Sequence, residues 1–327
     1  MEQRILGGTR RSIGVVGLGA WQLGADWGHV SDDDALTILG TAVDAGVSLI
    51  DTADVYGDGR SERLIGRFLR ERSGTQLTVA TKMGRRVAQE PQAYSLHNFR
   101  QWNDRSRENL GVSTLDLVQL HCPPTEVYHT DAVFDALDTL VQEGRIAAYG
   151  VSVETCDEAL AAIARPGVAS VQIILNALRL KPLERVLPAA AAAGVGIIAR
   201  VPLASGLLSG RYDENTTFPA DDHRTYNRHG EAFDVGETFS GVDFATGLAA
   251  ARRLSALVGE NATLAQFALR WIIDQPGVSV VIPGARNPAQ AEANAAAAAL
   301  APLDKATLDE VNEIYDELIR PQIHHRW

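Results

Sequence analysis

The chain has 327 residues, of which 46% are hydrophobic and 22% are charged, and its formal net charge at pH 7 is −11. This composition is typical of a folded protein with a large core, and the negative charge argues against a general nucleic-acid or acidic-membrane surface. No apolar run approaches the roughly 18 residues of a membrane-spanning helix, and the first residues contain no apolar signal region. The two cysteines, Cys122 and Cys156, have neither metal-like nor disulfide-like spacing, so we expect no metal and a reducing, cytoplasmic location.

The first predicted element is a β-hairpin. Residues 4–14 place Gly7 and Gly8 between two short runs in which polar and apolar residues alternate. This pattern is typical of two antiparallel strands joined by a turn. We expect the hairpin to close the bottom of the fold that follows it.

Short apolar strand patterns then alternate regularly with helical patterns. The β-branched runs predict eight strands, at residues 15–19, 47–50, 77–81, 115–120, 147–152, 168–174, 196–201 and 278–282. Helical periodicity predicts helices between and after them, at residues 33–43, 62–70, 98–110, 132–143, 154–164, 183–193, 244–258, 263–275, 289–299 and 304–319. Most of the strands are continuous apolar runs, as expected when both faces of a parallel sheet are buried.

This alternation predicts a single α/β domain over residues 1–327: a (β/α)8 TIM barrel with an N-terminal β-hairpin and extra C-terminal helices. The alternative is an open doubly wound sheet, which would need a glycine-rich phosphate fingerprint after its first strand. Residues 17–22 (GLGAWQ) lack the third glycine and the following helix of that fingerprint. The regular alternation breaks at residues 208–241, a long polar segment of the kind that is usually functional or disordered.

Four polar side chains stand at or just beyond the ends of consecutive predicted strands. Asp51, Lys82 and His121 end the second, third and fourth strands, and Tyr56 follows Asp51 in the next loop. Active sites of such barrels lie at the C-terminal strand ends, where adjacent strands are only about 5 Å apart. Each residue alone has an ordinary explanation as a turn, packing or core residue, but a buried lysine without a partner is costly. Together the four residues predict a proton-transfer site.

The chemistry of this set follows from acid strength. A tyrosine is a weak acid with a pKa of about 10, and a nearby ammonium favours its phenolate. Asp51 can keep Lys82 charged, and His121 can hydrogen-bond a substrate oxygen or relay a proton, so Tyr56 becomes an acid aimed at a carbonyl group. A Schiff-base aldolase using Lys82 is a weaker hypothesis because Asp51 would keep the amine protonated. A metal-dependent hydrolase is also a weaker hypothesis, because the sequence lacks the His-x-His pair of such a site.

The segments that carry these residues resemble the aldo-keto reductase superfamily. The resemblance runs in order from the hairpin to about residue 300 and is strongest at residues 49–57 (LIDTADVYG), 80–82 (ATK), 117–121 (LVQLH) and 149–152 (YGVS). It implies a barrel that binds NADPH and transfers hydride to an aldehyde or ketone, without a metal. By this resemblance Tyr56 is the general acid, Lys82 lowers its pKa, Asp51 anchors Lys82 and His121 orients the carbonyl.

The resemblance also implies which residues hold the cofactor. They are Ala20, Trp21, Asp51, Ser152, Gln172, Arg200, Pro202, Leu203, Ser205, Gly206, Arg211, Gly284, Arg286, Gln290 and Asn294. Arg286 would favour the 2′-phosphate, so we expect NADPH rather than NADH. The chain departs from the family pattern at Val153, where an asparagine is usual, at Arg200, where an aromatic ring is usual, and at Ala293, where a glutamate is usual.

The expected partner is a small-molecule carbonyl compound, bound by a monomer or a homo-oligomer. We expect its pocket to be lined by residues of the mouth loops, namely Trp21, Trp27, Tyr56, His121, Cys122 and Tyr128, with Trp102 as a further candidate. The three departures keep a second hypothesis open, in which the barrel is a catalytically weak, nucleotide-sensing subunit. The sequence does not distinguish individual carbonyl substrates.

Overall fold

The computed structural model describes residues 1–24 and 30–327. Its strands are β1 (Gln3–Ile5), β2 (Ser12–Gly14), β3 (Leu18–Gly19), β4 (Leu49–Asp51), β5 (Thr78–Met83), β6 (Leu117–His121), β7 (Tyr149–Ser152), β8 (Val168–Ile174), β9 (Gly196–Arg200) and β10 (Val278–Val281). Its α-helices are α1 (Asp32–Asp44), α2 (Arg60–Glu71), α3 (Leu96–Leu110), α4 (Thr125–Tyr128), α5 (Asp131–Gln142), α6 (Cys156–Ile163), α7 (Pro182–Ala193), α8 (His223–Tyr226), α9 (Phe244–Ser255), α10 (Leu264–Ile273), α11 (Pro288–Ala296), α12 (Lys305–Ile314) and α13 (Arg320–Ile323). Within the described residues, every helix is too short or too polar to cross a bilayer.

The strands β3 to β10 form one parallel sheet in which each strand pairs with its neighbours in the sequence. Parallel bridges from Val16 to Val281 and from Gly19 to Gly284 join the first strand to the last. The sheet therefore closes on itself, and the predicted (β/α)8 barrel is confirmed. The first strand is shorter than predicted, because only Leu18–Gly19 form a continuous ladder and Val16 contributes a single bridge.

The antiparallel hairpin β1–β2 closes one end of the barrel. Leu6 and Ile13 are fully buried and lie in one apolar cluster with side chains from the barrel interior: Leu49, Ala80, Leu117, Ile198, Val280 and Ile282. Because side chains alternate along a strand, the residues two positions further on face the same interior, nearer the other end. These are the polar residues Asp51, Lys82 and Gln119. One end of the barrel is thus sealed by hydrocarbon, and the other carries polar groups.

Local sequence signals explain where many helices begin. The side chain of Ser31 accepts a hydrogen bond from Asp34 N at the start of α1, and full capping boxes start α6 (Thr155 with Glu158) and α10. Several predicted helix ends differ from the structure. The helix predicted at 244–258 ends at Ser255, and the one predicted at 304–319 changes after Ile314 into a π-helical turn over Tyr315–Ile319.

The polar segment 208–241 packs on the polar end of the barrel. It contains the short helix α8 and the 3-10 turns Val235–Glu237 and Phe239–Gly241. It is tied to the loop after β9, where Ser205 Oγ donates to Glu237 O (2.9 Å) and accepts from Phe239 N (3.1 Å). The segment is therefore an ordered wall at the barrel mouth.

Replacing Leu6 with alanine tests the role of the hairpin. Because the side chain is fully buried in the bottom cluster, we expect Leu6→Ala to lower the free energy of unfolding by about 2–5 kcal/mol. The matched control is Ile5→Ala at the end of β1, next to Leu6. The Ile5 side chain is 57% exposed, so its loss should cost less than about 0.5 kcal/mol. Equal effects in urea unfolding would contradict the assigned role.

Candidate active site

Asp51, Tyr56, Lys82 and His121 meet at the polar end of the barrel. Lys82 Nζ lies 2.5 Å from Asp51 Oδ1 and donates to Thr52 O (3.0 Å) and to the Tyr56 hydroxyl (3.3 Å). The rings of Tyr56 and His121 make an edge-to-face contact with centroids 6.0 Å apart. The structure thus brings together all four residues singled out in the sequence.

The carboxylate of Asp51 is the centre of a buried hydrogen-bond network. Its second oxygen, Oδ2, accepts from Gln172 Nε2 (2.7 Å) and Gln119 Nε2 (3.1 Å). Sequence reasoning missed Gln119, which is fully buried on β6. Its position two residues before His121 was the available signal, since residues i and i+2 of a strand share a face.

The protonation states of Lys82 and Tyr56 depend on each other. Burial opposes the ammonium charge, but Asp51 and Tyr56 outweigh it and raise the pKa of Lys82 above its usual value. Desolvation by the surrounding protein raises the pKa of Tyr56, while the Lys82 ammonium acts in the opposite direction. The resemblance implied that Lys82 lowers the tyrosine pKa. In this cavity the lysine only limits the rise, so the phenol keeps its proton at neutral pH.

His121 is a neutral imidazole in this environment. Burial and, after it, the charges of Arg85 and Lys82 hold the pKa of His121 well below its usual value. Among the described residues, its Nδ1 has no hydrogen-bond partner. A neutral imidazole at this position can donate or accept a hydrogen bond without being a competing acid.

The four residues adjoin a cavity of about 840 Å³, a volume within the range of small-molecule sites. All the residues that the family resemblance assigned to the cofactor line it: Ala20, Trp21, Asp51, Ser152, Gln172, Arg200, Pro202, Leu203, Ser205, Gly206, Arg211, Gly284, Arg286, Gln290 and Asn294. Trp21 also stacks on Tyr56, with ring centroids 6.0 Å apart. Lys82 is 1% exposed and lies behind Tyr56, beneath the cavity surface.

Several residues predicted to line the substrate pocket do not do so. Tyr128 is fully buried, and its hydroxyl donates to Ser152 O (2.9 Å) from outside the cavity. Cys122 turns away from the cavity, and its thiol donates to Ser152 Oγ (3.4 Å). Trp102 is buried against other aromatic rings. The sequence positions of these three residues did not reveal which way their side chains point, and Trp27 lies outside the described residues.

A network of charges surrounds Arg200, the residue that replaces the usual aromatic ring. Its guanidinium forms ion pairs with Glu154 (2.9 Å) and with Glu237, and it donates to Val153 O (2.9 Å). Arg85 contacts the other oxygen of Glu154 (3.1 Å). Although burial opposes the carboxylate charge, Arg200 and Arg85 hold the pKa of Glu154 below its usual value. Arg200 is thus held by two carboxylates at the cavity wall.

Sequence reasoning missed the partners in this network. Arg85 lies three positions after Lys82, and Glu154 lies two positions after Ser152. This closeness to the strand ends was only a weak signal that they belong to the site. Glu237 carried no signal, because it lies in the irregular segment and approaches Arg200 only through the tertiary fold. Arg85 also donates from Nε to His121 O (3.1 Å), which links the network to the four residues at the polar end of the barrel.

The far end of the cavity is built from two loops. Ser205 (φ 54°) and Gly206 (φ 98°) have left-handed backbone that turns the loop after β9. In the loop after β10, Gln290 Oε1 accepts from Arg286 N (2.8 Å) and Asn294 Nδ2 donates to Gly284 O (3.1 Å). These hydrogen bonds shape the loop from within and leave the Arg286 guanidinium exposed at the cavity.

Comparison with known proteins agrees with this geometry. The family model described as the aldo/keto reductase family matches residues 15–316. The chain belongs to the aldo/keto reductase family. It is therefore an NAD(P)H-dependent oxidoreductase.

Individual members of the family are similar over most of their length. The aldo-keto reductase YhdN of Bacillus subtilis is 29% identical over 90% of this chain and 87% of its own. A Schizosaccharomyces pombe aldo-keto reductase with NADP(+) in its name is 26% identical over 93% and 89%. The solved structure of a Gluconobacter oxydans glycerol dehydrogenase superposes with a TM-score of 0.77, at 29% identity, covering 98% and 96% of the two chains.

The loop that carries Tyr56 contains a second buried acid. Asp54 is fully buried, and among the described residues neither of its carboxylate oxygens has a hydrogen-bond partner. Burial and the neighbouring Glu62 carboxylate raise the pKa of Asp54 to about 7. Its backbone N–H donates to Lys82 O (3.1 Å), which ties this acid to the strand that carries Lys82.

Asp54 predicts a pH dependence of stability. Because folding raises the pKa of Asp54, the folded state binds one more proton than the unfolded state between about pH 4 and pH 7. The free energy of unfolding should therefore fall as pH rises through that window, by up to about 1.4 kcal/mol per pH unit. Urea unfolding of Asp54→Asn should lack this slope. The control is Asp58→Asn in the same loop. Because the pKa of Asp58 is lowered to about 2, this variant should keep the wild-type slope. An unchanged slope in Asp54→Asn would contradict the assignment.

Proposed function

We propose that this protein reduces an aldehyde or ketone with NADPH and that Tyr56 supplies the proton. The observation that carries the proposal is the Tyr56 hydroxyl at the cavity, 3.3 Å from Lys82 Nζ and beside the neutral ring of His121. These groups supply a proton donor, a charge that stabilises its conjugate base and a hydrogen-bonding group for the carbonyl oxygen.

Each residue has a defined part in the proton transfer. Tyr56 remains a phenol until the carbonyl oxygen gains negative charge, because its pKa is raised in the cavity. The Lys82 ammonium then stabilises the phenolate, and Asp51 holds that ammonium in place through the 2.5 Å ion pair. His121 orients the carbonyl oxygen by hydrogen bonding. The hydroxyl of the alcohol product thus receives its proton from Tyr56.

The cavity fits a dinucleotide, which when bound supplies the hydride. Ser152 and Gln172 would contact the nicotinamide amide, Ser205, Gly206 and Arg211 the pyrophosphate, and the loop after β10 the adenosine phosphate. Two observations support the fit. Gln22 Oε1, at the cavity wall, has no hydrogen-bond partner among the described residues. Arg211 and Arg286 are exposed there, and neither has an ion-pair partner within residues 1–24 and 30–327.

The charge of Arg200 is compatible with this cofactor. A lone cation beside an oxidised nicotinamide would oppose its positive charge. Here the carboxylates of Glu154 and Glu237 compensate the guanidinium, although Arg85 restores part of the positive charge. The plane of Arg200 can therefore act as a packing surface in place of an aromatic ring.

The preference for NADPH rests on Arg286. Its exposed guanidinium lies in the loop after the last strand, where barrels commonly bind phosphate, and the NADP(+) in the name of the S. pombe relative agrees. The complete catalytic set favours a reductase over a nucleotide-sensing subunit, which would not need a proton donor. Steady NADPH oxidation with a panel of aldehydes and ketones separates the two.

Replacing Tyr56 with phenylalanine tests the proton donor. We expect Tyr56→Phe to lower kcat by about 10²–10⁴-fold and to leave the Kd for NADPH, measured by fluorescence titration, unchanged. The control is Tyr94→Phe, which removes a hydroxyl bound to Gln89 (3.0 Å) away from the cavity. Full turnover in Tyr56→Phe would refute the assignment.

A pair of arginine variants tests the cofactor preference. Arg286→Ala should weaken NADPH binding by about 30-fold, the loss expected for a charge-assisted contact to phosphate, and should not change NADH binding. Arg211→Ala should weaken both by similar factors, because the pyrophosphate is common to them. Equal losses for the two nucleotides in Arg286→Ala would contradict a 2′-phosphate contact.

A further inference from the structure

Trp327 is a buried aromatic side chain far along the sequence from the catalytic residues, yet it contacts the wall of the site. Its side chain is 7% exposed and lies against the Glu237 turn, which we define as residues 234–241. A Cβ atom on Gly241 would overlap the indole ring, and one on Gly236 would lie 3.1 Å from it. The two glycines therefore provide the surface on which the ring packs.

The indole also bonds the residue that starts this turn. Trp327 Nε1–H donates to Asp234 Oδ1 (3.1 Å) and Oδ2 (3.3 Å). Asp234 Oδ1 accepts from Gly236 N (2.7 Å) and so caps the 3-10 turn Val235–Glu237. The position of the Glu237 backbone therefore depends on a carboxylate that Trp327 holds.

Through Arg179, the face of the indole ring also supports the backbone of Glu154, the second residue that pairs with Arg200. The guanidinium of Arg179 lies 3.9 Å from the centroid of the Trp327 ring, and Arg179 Nη2 donates to Glu154 O (2.8 Å). Arg179 is 2% exposed, and burial together with the charge of Arg200 lowers its pKa to about 10. An aromatic face is a favourable partner for such a poorly solvated cation.

We propose that Trp327 is a positioning residue for the cofactor wall. Through Asp234 and Arg179 it holds Glu237 and Glu154, and these two carboxylates hold Arg200 at the cavity. The Glu237 turn also hydrogen-bonds Ser205, so loosening it frees the loop assigned to the pyrophosphate. The inference rests on the proposed function in one respect, that the nucleotide binds against Arg200 and this loop.

Three variants test the proposal, with two measurements on each. Trp327→Ala should raise the Kd for NADPH by about tenfold, as expected for loss of a supporting cation–π contact and hydrogen bond. At saturating NADPH its kcat should stay within about twofold of wild type, because Trp327 does not contact the catalytic set. Trp327→Phe keeps a ring for Arg179 and should restore the Kd to within about threefold of wild type.

The matched control is Phe68→Ala. Phe68 is a buried ring on α2 with the guanidinium of Arg72 5.8 Å from its centroid, and it does not line the cavity. Its loss should lower the melting temperature without changing the Kd. If Trp327→Ala changes the melting temperature but leaves the Kd at the wild-type value, Trp327 has only a structural role and the proposal is overturned.

The second measurement is amide hydrogen exchange in the nucleotide-free protein. Trp327→Ala should speed exchange at Gly236 and Phe239, whose N–H groups bond Asp234 and Ser205, and Phe68→Ala should not. Unchanged exchange in Trp327→Ala overturns the proposal. If the wild type binds no nicotinamide nucleotide, the proposed function fails, while the exchange result still decides whether Trp327 positions the turn.

Discussion

The buried ion pair between Lys82 and Asp51 is the interaction on which the candidate site depends. Removing either partner would leave an uncompensated charge in the barrel, which is far more costly than losing a surface pair. The glutamines Gln119 and Gln172 satisfy the second oxygen of Asp51, so the carboxylate has little freedom to move. Lys82 is thereby fixed below Tyr56, so its ammonium group lies next to the tyrosine hydroxyl.

A second charged system lines the cavity around Arg200. The ion pairs from Arg85 through Glu154 and Arg200 to Glu237 connect the loops after β5 and β7 with β9 and the segment after residue 208. A stacked aromatic ring needs only packing, whereas a guanidinium in a poorly solvated wall needs carboxylates in place. The ion pair between Arg200 and Glu237 is one of the contacts that hold the long irregular segment against the barrel mouth.

Periodicity predicted the eight strands and most of the helices, because both patterns are local and repeat many times. The meeting of Asp51, Tyr56, Lys82 and His121 was predictable for a related reason: the ends of adjacent parallel strands must lie side by side. Tyr128 and Cys122 show where this reasoning stops. Both stand close to His121 in the sequence, but one is fully buried and the other turns toward Ser152, and only packing decides which way a loop side chain points.

The sequence by itself therefore determined the barrel, the family and the convergence of Asp51, Tyr56, Lys82 and His121, since each follows from short-range spacing or strand order. The tertiary structure decided the rest. It made Gln119 part of the acid network, brought Glu237 to Arg200 and placed Trp327 under the same turn. These contacts join residues separated by tens of positions, and they depend on how distant segments fold back, which no local pattern specifies.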